Sequence, residues 1–181
     1  MSKASVVAVA RDASHRFSKK LVSEIRTIDG LGVEGDAHLG KTVKHRSRVV
    51  VDPTKPNLRQ VHLIHSELFV EVGNKGFRVR PADLGENITT EGIDLLALPR
   101  GTVLKIGKTV ELEVTGLRNP CKQIDDFQAG LLSAVLLKGD NGELIRKSGI
   151  MTVVRAGGKV KAGDNIQAIY PQKPYLPLEQ V

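Results

Sequence analysis

Thr102-Val-Leu-Lys-Ile-Gly-Lys-Thr-Val-Glu-Leu-Glu-Val-Thr115 is the stretch that decides the fold. In its first half Val103, Lys105 and Gly107 alternate with Leu104 and Ile106, the period of a strand with one covered face. Gly107-Lys108 separates the run 102–106 from the run 109–115 and reads as the turn of a β-hairpin. Short runs of the same kind recur on both sides. They are Ser5 to Ala10, Leu21 to Ile28, Arg48 to Val51, Gln60 to Ile64, Gly149 to Arg155 and Asn165 to Ile169, each bounded by turn residues.

Two segments have helical spacing instead. Ser66 is placed to cap a helix through Glu67, Leu68, Val70, Glu71 and Val72 that stops near Gly73-Asn74. The second sets Ile124, Phe127, Leu131, Leu132, Val135 and Leu136 on one face, begins at Asp125 or Asp126 and ends at Gly139. Many short strands with few helices predict a mostly β protein, a closed or nearly closed β-barrel, because closure removes exposed sheet edges. The 181 residues fit a single domain over 1–181, with the proline-rich stretch 170–181 as a tail packed on it.

Composition narrows the function. The chain carries 27 Lys+Arg against 20 Asp+Glu, a net charge of +7, which favours an anionic partner such as a phosphorylated cofactor, nucleic acid or an acidic protein. Nucleic acid is not the expected partner, since aromatics are 3% and tryptophan is absent, leaving few stacking platforms. One cysteine allows no intrachain disulfide, no leader-like segment opens the sequence and the apolar runs are too short to span a membrane. A cytoplasmic protein without membrane contact is expected.

The hairpin runs directly into Gly116-Leu117-Arg118-Asn119-Pro120-Cys121-Lys122-Gln123, a basic loop between a strand and a helix. Neighbouring cations and a helix N-terminus both favour thiolate, so Cys121 is the candidate reactive group beside Arg118 and Lys122. The alternative for a lone cysteine is inert burial. Gly32 to Gly40 sets three glycines around Asp36 and His38, and Lys41, Lys44, His45, Arg46 and Arg48 follow. Such a loop lets backbone N–H groups approach phosphate, although its spacing is neither a Walker loop nor a dinucleotide fingerprint. Arg59 offers a planar fork for phosphate or carboxylate. His62 and His65 fall on opposite faces of their strand and do not converge on a metal. Glu86 and Asn87, in the turn Pro81 to Thr90, are placed either to orient a ligand or to close local turns.

In this order the segments resemble the MOSC domain, the family named after the C-terminal domain of molybdenum-cofactor sulfurases. The matching stretches are Gly32 to Gly40, Arg59 to Ile64, Leu84 to Thr89, Leu98 to Thr102, Thr115 to Cys121, and Gly157-Gly158 followed by Gly163-Asp164. The resemblance implies a β-barrel with a basic cleft for the phosphorylated pterin of the molybdenum cofactor. It further implies that Cys121 ligates molybdenum or carries persulfide sulfur, with Arg59, His62, Arg118 and Lys122 lining the site and Asp36, His38 and Gly40 closing over it. Unlike the full sulfurases, the chain has no room for their pyridoxal-phosphate domain, so no pyridoxal phosphate is expected and sulfur would come from a separate cysteine desulfurase. Two alternatives stand beside this reading: a molybdenum-dependent reductase of N-hydroxylated compounds served by a separate reductase, and a non-catalytic anion- or nucleic-acid-binding module.

Overall fold

The computed structural model describes residues 3–44 and 46–181. The hairpin forms as its alternation demands: Val103–Ile106 pairs antiparallel with Val110–Leu117. Leu104, Ile106, Leu112 and Val114 are wholly buried.

The strands in chain order are β1 Ser5–Arg11, β2 Lys20–Val22, β3 Ile25–Ile28, β4 Gly32–Val33, β5 Val61–His65 and β6 Ile88–Glu91. The hairpin strands are β7 Val103–Ile106 and β8 Val110–Leu117, and β9 Leu136–Lys138, β10 Leu144–Arg146, β11 Ile150–Ala156, β12 Gly158–Val160 and β13 Ile166–Ile169 follow. The helices are α1 Arg46–Val51, α2 Glu67–Gly73, α3 Gln123–Phe127 and α4 Leu131–Val135.

The protein is mostly β. Its main sheet has eight strands in the order β13-β7-β8-β11-β5-β6-β1-β2, beside a three-stranded sheet β12-β3-β4 and the hairpin β9-β10. Among the described residues no ladder closes the eight strands into a barrel. The two ends approach at one bridge, Ser5 to Asn165, where Val6 N donates to the Asp164 carbonyl (2.9 Å) and Ile166 N to the Ala4 carbonyl (2.9 Å). β5 and β6 are parallel, a pairing that needs a crossover, and α2 lies in that crossover.

Because β5 alternates, it serves two cores. Val61 and Leu63 enter the large cluster between the strands, while Ile64, on the other face, joins Leu68, Val72, Leu84, Ile124, Leu131 and Val135 under the helices. His62 shares that second face, one step closer to the strand's beginning.

Four local expectations are corrected. Arg48 to Val51 is helical, since the loop around it is closed on itself by the bridge Thr42 to Pro56 and no neighbouring strand offers a ladder; Val50 and Val51 are exposed. Leu21 to Ile28 is two strands that pair in different sheets. Ser66 begins α2 without a side-chain cap. The single helix over 124–136 is two, because the chain turns extended at Gln128, ending the first helix, and Gly130 takes φ 86° to turn it into the second. Asp125 caps the second helix, accepting from Leu132 N at 2.8 Å, and the chain after Val135 becomes a strand. No helix among the described residues is long and apolar enough to cross a membrane.

Candidate functional site

Where β8 leaves its ladder with β11, Arg118 N still donates to the Gly149 carbonyl (3.0 Å), and buried Pro120 then turns the chain outward. Cys121 follows, half-buried, its Sγ donating to Gln123 Oε1 at 3.6 Å and its carbonyl accepting from Ile124 N at 3.0 Å. The loop is thus tied to β11 behind it and α3 ahead. It forms one wall of a cleft of about 550 Å³. Arg59 comes from the approach to β5 and His62 from the strand itself, Gly85 and Asn87 from the turn before β6, Phe17 and Lys19 from between β1 and β2, and His38 from the loop after β4.

Arg16, Arg48, Arg59 and Arg118 all line the cleft, and two of them carry a buried N–H without a partner. Arg118 lies over the Phe17 ring, 5.7 Å from its centroid, and its Nη1 is buried with no hydrogen-bond partner. Burial pulls its pKa down, opposed by Cys121 and Glu86. Arg59 Nε is likewise buried and unpartnered. Burial, then the charges of Arg48 and Arg118, push Arg59 down to about 10, again opposed by Cys121. Cys121 is thus the neighbour that opposes the lowering of both arginines. His62 is buried and anchored, Nε2 lying 2.8 Å from the Ser148 carbonyl, which can only accept. Burial, then Arg118, hold it well below its ordinary pKa, so it is neutral at physiological pH.

Opposite this wall a buried carboxylate organises the floor. Asp36 Oδ1 accepts from His38 N (3.0 Å) and lies 3.2 Å from His38 Nδ1. Its Oδ2 is ion-paired with Lys19 and accepts from Asn87 Nδ2 (3.0 Å) and Asp12 N (3.3 Å). Burial opposes the charge on Asp36, but the bonds from His38 and Lys19 outweigh it and hold the carboxyl well below the usual range. Burial draws Lys19 down, and Asp36 opposes that.

Six expected site residues line the cleft: Cys121, Arg59, His62, Arg118, His38 and Asn87. Asp36 lies beneath the floor, bonded to the lining residues Lys19, His38 and Asn87. Glu86 is fully buried, with Oε1 accepting from Ala82 N (2.7 Å) and Thr89 Oγ1 (3.0 Å); burial raises its pKa. Gly40 is away from the cleft lining, its carbonyl accepting from Asn57 Nδ2 at 3.0 Å. Lys122 is not among the lining residues: its side chain is 84% exposed and ion-paired with Asp126 along the surface of α3. His45, named with the glycine loop, lies outside the described residues.

The cleft also recruits Phe17, Lys19, Met151 and Gln180, which no local motif marks. Phe17 is held by a close backbone approach. Gly85 has φ 83°, and a Cβ there would run into the Phe17 carbonyl oxygen. Gly85→Ala is therefore expected to cost about 2 kcal/mol, combining left-handed strain with displacement of that segment. Thermal unfolding should show this as a fall of roughly 4–8 °C; an unchanged midpoint would mean that the segment yields freely.

A MOSC domain model matches residues 35–167. Among solved structures, the YUAD protein from Bacillus subtilis is 26% identical, with a TM-score of 0.74 over 94% of this chain and 98% of that one. YiiM from Geobacillus stearothermophilus, 17% identical, gives 0.68 over 96% and 79%, and YiiM from Escherichia coli, 20% identical, gives 0.60 over 95% and 73%; these two likenesses concern the fold. No functionally curated protein matches the chain. The family match begins in the turn after β4, takes in the loop that carries Cys121 and ends within β13, and on that ground the chain belongs to the MOSC domain family.

Proposed function

We propose that the cleft binds the phosphorylated pterin of the molybdenum cofactor, with Cys121 as the sulfur that meets the metal. One observation carries this reading: two guanidinium groups, each with a buried N–H that has no partner, share a cleft with a half-buried thiol. Buried unpaired donors cost stability, and an anionic ligand would satisfy both. A thiolate is a soft donor of the kind that takes a late or thiophilic metal centre.

Arg59 and Arg118 would hold the anionic groups by charge-assisted hydrogen bonds. Neutral His62 adds shape without charge, and Asp36 cancels Lys19, so the attraction rests on the arginines, with Arg16 and Arg48 adding to it from the cleft lining. When bound, the cofactor supplies a redox-active metal. The same half-exposed Cys121 also suits a persulfide carrier charged by a separate cysteine desulfurase, and the reducing cytoplasm would keep it free.

Expression in a host that makes the cofactor, followed by metal analysis, tests the ligand role. Cys121→Ser is expected to retain at least about tenfold less molybdenum than wild type, since weaker second-shell losses already reach that size. Equal, negligible molybdenum in both proteins would sink it. The carrier role predicts a mass gain of one sulfur at Cys121 after incubation with a cysteine desulfurase and cysteine, and an unmodified thiol would rule it out.

A further inference from the structure

The segment 176–181 adds to the edge of β8 at the point where the Cys121 loop departs. Leu117 N donates to the Glu179 carbonyl (2.7 Å), Val181 N donates to the Leu117 carbonyl (3.2 Å), and Arg100 N donates to the Leu176 carbonyl (2.9 Å). Leu117 and Gln180 thus form a parallel bridge, and Leu178 packs on the main core. Gly116 admits the segment: a Cβ there would meet the Glu179 carbonyl oxygen and, at 2.5 Å, Val181 Cγ1. All three bonds are main chain to main chain, so the side chain of Gln180 is not spent on docking. Gln180 itself lines the cleft with Arg118 and Cys121.

We infer that the segment 176–181 completes the ligand site, walling the Cys121 loop and presenting the Gln180 carboxamide to the ligand's heterocycle. A carboxamide carries a donor and an acceptor side by side and pairs bidentately with a ring edge that offers the complementary couple, as Gln does with adenine. The guanidiniums accept anionic groups but cannot read such an edge, because they only donate. Gln180 therefore selects a planar heterocycle with adjacent N–H and ring-acceptor groups, while Arg59 and Arg118 select its charge. The ring-reading part rests on the pterin-cofactor reading; the walling part rests on the main-chain docking alone.

Two measurements test the two parts. Pterin retained through purification from a cofactor-producing host is read by fluorescence after oxidation, and Cys121 alkylation by iodoacetamide is read on protein from a host unable to make the cofactor. Gln180→Leu is expected to retain about five- to hundredfold less pterin, the loss of two hydrogen bonds, and to alkylate at the wild-type rate because docking is by main chain. Gly116→Val and removal of residues 177–181 are two independent routes to release of the segment, and both are expected to lower pterin retention and speed alkylation. Wild-type pterin in Gln180→Leu overturns the ring-reading role. Wild-type alkylation rates in both released proteins overturn the walling role. Wild-type protein devoid of pterin sinks the cofactor reading and the ring-reading part with it, and alkylation still decides the wall.

Discussion

Asp36→Asn is expected to lower the unfolding free energy by about 3–5 kcal/mol, the cost of breaking a buried ion pair from one side. The side chains of Asp36 and Lys19 are 0% and 5% exposed, so the substitution leaves the ammonium buried without a counter-charge. It also weakens the bonds from Asn87 Nδ2, His38 and Asp12 N that converge on this carboxylate. Replacing both partners, Asp36→Asn with Lys19→Met, should recover much of the loss, because an apolar group needs no counter-charge. The carboxyl is held below its ordinary range, since the bonds from His38 and Lys19 overcome the opposing effect of burial. Its contribution is therefore fully present above the unfolded pKa of about 4 and drains away as pH falls below that value toward the native one. Denaturant unfolding at neutral pH and through the acid range checks both parts. A loss under about 1 kcal/mol, or an acid profile shared by wild type and Asp36→Asn, would show that Asp36 does not anchor the floor.

What was legible in the sequence depended on how local its cause was. Alternation and a three-residue turn suffice for 102–115, since both partners of that ladder lie in the quoted stretch. The valines at 49–51 misled because β-propensity describes fitting a pleated neighbour, and that loop has none. The apolar face of 124–136 has the right period, yet Gly130 lies inside it, and a glycine within a helical pattern is itself a breaking signal. In the site, Arg59, His62, Asn87, Arg118 and Cys121 sit at strand ends or in the turns beside them, where motif residues and geometry coincide. Lys122 was placed there by adjacency to Cys121, and its side chain instead pairs with Asp126 along the surface of α3. Lys19 and Gln180 arrive through partners distant in sequence, Asp36 and Leu117, and no spacing rule announces either.

Arg118→Met is expected to stabilise the ligand-free protein while reducing pterin retention by at least about tenfold. Arg118 Nη1 is a buried donor with no partner, and such a group costs about 1–3 kcal/mol. Methionine removes the donor and the charge, keeps most of the stem and retains a favourable contact with the Phe17 ring beneath it. The cation over Phe17 returns some of that cost in the native protein, about 0.5–2 kcal/mol, so the net gain is about 1 kcal/mol, or roughly 2–4 °C in melting temperature. Glu86 sets the pH dependence. Burial raises its pKa and Arg118 opposes that rise, so in the variant Glu86 holds its proton to higher pH. A raised native pKa contributes stability below it that is lost as pH rises through it, so the gain should be larger at a lower than at a higher pH. Melting curves of ligand-free protein at both pH values, with pterin content from a cofactor-producing host, decide the matter. A variant that melts below wild type yet keeps its pterin would make Arg118 a structural cation. The opposite pattern marks a residue that weakens the empty fold and stays because its ligand needs it, the trade expected at a binding site.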